Sequence, residues 1–227
     1  MRTAIFDLDG TLADTSGDLI AAANATLREA GIAGELATGQ DEATALRGGR
    51  PMLRLGLERA GQGVDEALVE ALYPRLLEHY ARAVAHHTRL YDGAEAALAV
   101  LAAAGWRLGI CTNKPQRLAD HLLATLGVAG LFRAVLGADA LPVRKPDPRH
   151  LTETILRAGG AAGSAVMIGD TPTDRDAARA AGVPCVLVGF GPEGAGVLAL
   201  EPVAVLAHYD DLPDMLEALL PLQARRA

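Results

Sequence analysis

Five short apolar runs, separated by segments of helical periodicity, constrain this chain more than any other feature. Thr3 to Leu8, Arg107 to Cys111, Ala165 to Ile168, Cys185 to Val188 and Val203 to Ala207 each have the length and composition of a strand. The best of them are apolar throughout instead of alternating, as expected of strands covered on both faces. Helical patterns fall between them, at about Ala94 to Ala104, Gln116 to Leu126, Pro148 to Ala158 and Thr173 to Ala181. The alternation predicts an α/β fold: a doubly wound parallel sheet with helices on both sides.

One stretch breaks the rhythm. From Thr15 to about Thr88 there is no strand pattern, only helical periodicity. Leu19, Ala22, Ala23, Thr26 and Leu27 share one face, and Leu68, Leu72, Leu76 and Tyr80 share another. Gly31, Gly34, Gly39 and Gly48-Gly49-Arg50-Pro51 mark turns, with Pro51 in the first turn of a helix. The expected organisation is a core of residues 1–14 and 89–227, interrupted by a small helical domain over 15–88.

At 227 residues and 50% hydrophobic content the chain has room for one large domain carrying such an insertion. A formal net charge of -7 and only 4% aromatics argue against a nucleic-acid surface, which needs clustered cations and stacking platforms. Asp7 and Asp9 interrupt the N-terminal stretch too early for a signal peptide. The longest nearly apolar run, Ala96 to Gly105, is too short for the roughly 20 residues that span a bilayer. Cys111 and Cys185 each sit in an apolar run and read as buried free thiols. A soluble cytoplasmic protein, monomer or homodimer, with no membrane partner is expected.

In an open parallel sheet, ligands bind beyond the carboxyl ends of the strands. Just past the expected strands stand Asp7 and Asp9, then Thr112-Asn113-Lys114, then Gly169-Asp170-Thr171-Pro172-Thr173-Asp174. A fourth cluster, Arg144-Lys145-Pro146-Asp147-Pro148, lies in the connection before Asp170. Like charges held close resist joint ionisation, so carboxylates gathered at one sheet edge need compensation. Four carboxylates face two ammoniums, and a divalent hard cation with oxygen ligands would fill the deficit. Blander roles exist for each cluster. Asp9-Gly10 could be a hairpin turn, but no partner strand follows. Thr112 and Asn113 could cap the next helix, Asp147 and Pro148 could open another, and Asp170 and Asp174 could serve a helix N-terminus. All four clusters together are poorly explained by caps alone.

These residues closely resemble the haloacid dehalogenase-like hydrolase superfamily. Its first signature matches Asp7-Leu8-Asp9-Gly10-Thr11-Leu12, the second Thr112-Asn113, the third Lys145-Pro146, and the fourth Gly169-Asp170-Thr171-Pro172-Thr173-Asp174. The resemblance implies a Rossmann-like core with a helical cap domain. Phe6 to Thr15 and Thr112-Asn113-Lys114-Pro115 look most like phosphoglycolate phosphatases. It further implies that Asp7 attacks a phosphoryl group and forms an aspartyl-phosphate, while Asp9 acts as acid and then base. Mg²⁺ would be held by Asp7, the Asp9 carbonyl oxygen and Asp170, while Asp174 orients the site from behind. Thr112, Asn113 and Lys145 would bind the substrate phosphate, Thr112 and Lys145 sharing in catalysis.

True dehalogenases of the superfamily lack the second Asp, so Asp9 points to phosphate esters. Phosphonoacetaldehyde hydrolases use a cap lysine, and residues 15–88 contain none. The implied activity is hydrolysis of a small phosphorylated metabolite, 2-phosphoglycolate first. Sugar-phosphate phosphatases resembling β-phosphoglucomutase, pyrophosphatases and a non-catalytic phosphometabolite-binding protein are the alternatives. In the cap, Arg50, and after it Arg47, are candidates to grip a substrate carboxylate. His86-His87 has no third metal ligand at suitable spacing and reads as an exposed pair, and Cys111 as strand core rather than a redox switch.

Overall fold

Thr3–Phe6 (β1) occupies the middle of a six-stranded sheet in which every pairing is parallel. The structure, a computed structural model, describes residues 1–191 and 193–221. Along the chain β1 is followed by β2 (Ala13–Asp14), α1 (Ser16–Glu29), α2 (Glu42–Leu46), α3 (Gly49–Arg59), α4 (Glu66–Arg82) and β3 (Arg89–Leu90). Then come α5 (Ala94–Ala103), β4 (Arg107–Cys111), α6 (Gln116–Thr125), β5 (Phe132–Leu136), α7 (Pro148–Arg157) and β6 (Ala165–Gly169). The last elements are α8 (Pro172–Ala181), β7 (Cys185–Val188), β8 (Ala204–Leu206) and α9 (Leu212–Leu219). Contacts divide the chain into two compact units, Ala13–Arg89 and the remainder.

The sheet runs β5-β4-β1-β6-β7-β8, and its register decides where side chains can meet. Phe6 stands opposite Ile110 on one side and Ile168 on the other. The three strands therefore end within one residue of each other, and Asp7, Thr112 and Asp170 emerge at one edge. Two backbone bonds carry the ladder one residue further: Asp7 N–H donates to the Ile168 carbonyl (2.9 Å) and Thr112 N–H to that of Leu136 (3.0 Å).

Coverage of both faces explains the unbroken apolar runs. Ile5 and Met167 join Leu151 and Ile155 of α7 and Ala177 and Ala178 of α8 in one buried cluster. Ala4 and Phe6 alternate to the opposite face and are equally buried, while α5 packs on β4 and α6 on β5. Cys111 and Cys185 are buried free thiols. β5 and α9 carry no clear sequence signal. β5 is an edge strand with Arg133 exposed, and α9 buries only Leu212 and Leu216. Among the described residues no helix is long and apolar enough to cross a membrane.

The Ala13–Arg89 unit is a set of packed helices, with α1 against α2, α3 and α4. The expected α1 face is buried in full. On α4 the buried stripe is instead Val69, Leu76 and Tyr80, with Leu68 and Leu72 half-buried beside it. The Gly48-Gly49-Arg50-Pro51 turn is also shorter than its composition implies: Gly48 is the N-cap, with φ +109°, and Gly49 already belongs to α3. Backbones pass unusually close where the 34 region crosses α3. A Cβ on Gly34 would lie 1.7 Å from the Gly56 carbonyl oxygen, an atom with no freedom to yield. Gly34→Ala should therefore destabilise this unit by about 1–3 kcal/mol through overpacking. Urea unfolding followed by far-ultraviolet circular dichroism would read the loss, and an unchanged midpoint would contradict it.

Candidate active site

Asp7 is the first residue past the central strand, and everything at this edge is arranged around it. Lys145, delivered by the connection between β5 and α7, is completely buried, with its Nζ 2.9 Å from Asp7 Oδ1 and 2.6 Å from Asp174 Oδ1. Its hydrogen bond goes to Asp174. Asp7 Oδ1, although buried, has no hydrogen-bond partner among the described residues; its contact with Lys145 is an ion pair without bond alignment.

Asp174 is the third residue of α8 and has two duties. Its Oδ1 holds Lys145, while its Oδ2 accepts from the Thr171 N–H (3.0 Å) and Thr171 Oγ1 (2.6 Å), closing a capping box. The helix-end role expected for Asp174 is thus real and coexists with the Lys145 bond. Gly169 makes room for it: a Cβ there would stand 2.5 Å from the Asp174 Cγ. Asp170 accepts from Thr11 Oγ1 at 2.7 Å. Thr11 is in turn held through its carbonyl by the buried Tyr209 hydroxyl (2.7 Å). Tyr209 was invisible in the sequence, since it stands 198 positions away in a single turn before α9. Thr11 and Thr171 lie inside the quoted motifs but had no part assigned.

The second acid is kept apart. Asp9 Oδ1 accepts from Lys114 Nζ at 2.7 Å. Thr112 is buried, and its Oγ1 accepts from the Lys114 N–H. It does not cap α6, whose first N–H, that of Gln116, donates to Asp139. The exposed Asn113 donates its side-chain amide to the Lys145 carbonyl (3.0 Å), bracing the segment that presents the ammonium. Asp147 caps α7 and Pro148 opens it, as the local sequence implies.

Electrostatics follow from burial. Desolvation, opposed by Lys145 and aided by Asp174, lifts Asp7 from 3.8 to about 6. Burial, with Asp174 and Asp7 beside it, lifts Asp170 well above the carboxylate range. Burial alone would depress Lys145, yet Asp174 and Asp7 outweigh it and hold the ammonium firmly protonated. Carboxylate oxygens of Asp7, Asp170 and Asp174 all lie within 4.8 Å of one another. Ionised together, three acids against one ammonium would leave a deficit of two charges, and only oxygens face it. That donor set fits a hard divalent cation.

Arg50 belongs to the other unit, where its guanidinium is held by Glu70 (2.5 and 2.8 Å) and lies 3.7 Å above the Tyr73 ring. Arg47 is the C-cap residue of α2.

A raised acid makes a definite pH prediction. In the cation-free protein the folded state binds the Asp7 proton more tightly than the unfolded chain does. Its contribution favours folding below pH 3.8 and is lost as pH rises through about 6. In chelator, the wild type should lose up to about 3 kcal/mol relative to Asp7→Asn between pH 4 and 7. Denaturant titrations of both proteins across that range would measure it, and parallel curves would refute it.

Sequence comparisons give the lineage, and a solved structure shares the fold. A 43% identical protein over 212 residues, covering 92% of this chain and 91% of its own, is the phosphoglycolate phosphatase of Mesorhizobium japonicum. That of Agrobacterium fabrum is 38% identical over 227 residues, covering 99% and 96%. Among solved structures, a predicted phosphoglycolate phosphatase from Haemophilus somnus superposes with a TM-score of 0.83 at 23% identity, covering 95% of this chain and 97% of that one. The family model for haloacid dehalogenase-like hydrolases matches residues 4–188, a span holding every side chain of the cluster except Tyr209. The chain belongs to the haloacid dehalogenase-like hydrolase family.

Proposed function

We propose that this chain is a Mg²⁺-dependent phosphatase that cleaves small phosphate monoesters through an aspartyl-phosphate on Asp7, with 2-phosphoglycolate as its substrate. One observation carries the reading: the Asp7 carboxylate stands at the end of the central strand with Lys145 Nζ 2.9 Å from its Oδ1 and carboxylate oxygens of Asp170 and Asp174 within 4.8 Å. The relatives named phosphoglycolate phosphatases, similar over nearly the whole chain, support the choice of substrate.

In the first step an Asp7 oxygen attacks phosphorus as the bond to the leaving oxygen breaks. Asp9 gives a proton to the departing alkoxide. In the second, Asp9 takes a proton from water, whose oxygen attacks the phosphorus. The Asp7–phosphorus bond then breaks and inorganic phosphate leaves. Lys145 and Thr112 hold phosphoryl oxygens, and such charge stabilisation supplies most of the rate in phosphoryl transfer. Asp174 positions Lys145, and Asn113 braces the same segment. Mg²⁺, bound by Asp7, Asp170 and the Asp9 carbonyl, would neutralise charge on the transferring group. The helical unit is read as a cap, residues 15–88 in the expected division, and two free thiols suit a reducing cytoplasm.

Asp7→Asn keeps the shape and removes the attacking anion, so turnover of 2-phosphoglycolate should fall to background while the melting transition persists. Chelation should abolish wild-type activity and Mg²⁺ restore it. More than a few per cent residual turnover in the variant, or full activity in chelator, would reject the mechanism. Arg50, prearranged by Glu70 and Tyr73, is the proposed partner of the substrate carboxylate. Arg50→Ala should lower kcat/KM for 2-phosphoglycolate about tenfold or more, as for a lost charged hydrogen bond. Hydrolysis of p-nitrophenyl phosphate, which has no carboxylate, should change far less. Equal losses on both substrates would make Arg50 a structural residue.

A further inference from the structure

We propose that His86, His87 and Asp18 form a separate cation site in the helical unit, taking a borderline divalent transition metal such as Zn²⁺ through two imidazole nitrogens and one carboxylate oxygen. The sequence shows the two histidines but no third ligand at a useful spacing. The fold supplies one, because Asp18 in the first turn of α1 is brought to the turn after α4. One ligand atom from each of the three residues lies within 4.8 Å of the other two.

The geometry between the imidazoles is the main observation. His86 Nδ1 and His87 Nε2 are 3.2 Å apart, with their rings edge to face. Two nitrogens at about 2.0–2.1 Å from one tetrahedral Zn²⁺ would stand about 3.3 Å apart. The pair therefore already spans one edge of a zinc coordination tetrahedron, and both rings are exposed and accessible.

Asp18 is prearranged rather than mobile. It is 3% exposed, and its Oδ1 accepts from the His87 N–H (2.8 Å). Its Oδ2 accepts from the Thr88 N–H (3.0 Å) and Thr88 Oγ1 (2.7 Å). These bonds tie the carboxylate to the backbone that carries the imidazoles and leave Oδ1 a second lone pair. Three protein ligands and a water would complete four-coordination. Imidazole donors favour transition metals, whereas the cluster at the sheet edge offers oxygens alone and suits a harder ion. A cation here would join the start of α1 to the turn after α4 and so close a long loop of chain.

The test uses the full chain with Mg²⁺ in excess, so that the carboxylate cluster is occupied, and ZnCl₂ as the probe. Isothermal titration should find one Zn²⁺ per chain, and Zn²⁺ should raise the melting temperature. The double variant His86→Gln, His87→Gln changes only exposed side chains and should bind Zn²⁺ about tenfold more weakly or worse. Its Mg²⁺-dependent hydrolysis should match the wild type. Asp170→Asn, which disables the sheet-edge cluster, should retain the Zn²⁺ affinity. No Zn²⁺ binding by the wild type, equal binding by the double variant, or loss of binding in Asp170→Asn would each overturn the proposal. The three binding outcomes that overturn the proposal do not depend on the phosphatase reading.

Discussion

A single buried ammonium, that of Lys145, is the interaction on which the rest of this architecture depends. It is shared between Asp7 and Asp174, which come from two different strand ends, and Lys145 itself comes from a third segment. The contact exists only if β1 and β6 end within one residue of each other and the β5–α7 connection folds back over them. Taking charges out of water is costly, and breaking a buried pair by removing one partner costs about 3–5 kcal/mol. The ion triad thus tests the fold: chains with a slipped register would strand charges in an apolar core.

Around this triad the acids are unequally restrained. Asp174 is saturated by Lys145 and the start of α8, Asp170 is steadied by Thr11, and Asp9 is paired with Lys114. Asp7 Oδ1 meets the Lys145 ammonium as an ion pair and, among the described residues, accepts no hydrogen bond. A nucleophile needs an available lone pair, whereas its neighbours need fixed orientation. The distribution of hydrogen bonds separates those two requirements.

Much of this was legible because it is local. β4 and β7 match their apolar runs, while β1 ends at Phe6, two residues short of the expected run, since the chain bends at Leu8. The polar clusters could be placed because strand ends are visible in sequence. Long-range partnerships were not legible. Tyr209 reaches Thr11, Glu70 takes Arg50 and Asp18 meets His87 through tertiary packing that leaves no periodic trace. β5 was hidden by its edge position, where Phe132 is half-buried and Arg133 faces solvent. On α4 the expected face is half right: Leu76 and Tyr80 are buried, while Val69 replaces Leu68 and Leu72, which stay half-buried.

The position of β1 in the sheet has a consequence for how the chain comes together during synthesis. Its two neighbours, β4 and β6, follow it by roughly 100 and roughly 160 residues, with the whole helical unit translated in between. The helical unit is continuous in sequence and can consolidate as soon as it leaves the ribosome. The central strand cannot. It emerges before either partner, with both edges unpaired, and waits, apolar on both faces, for strands not yet made. Domains with such non-local pairing fold slowly and expose sticky intermediates. The nascent chain is therefore most exposed to aggregation in the interval before β6 arrives.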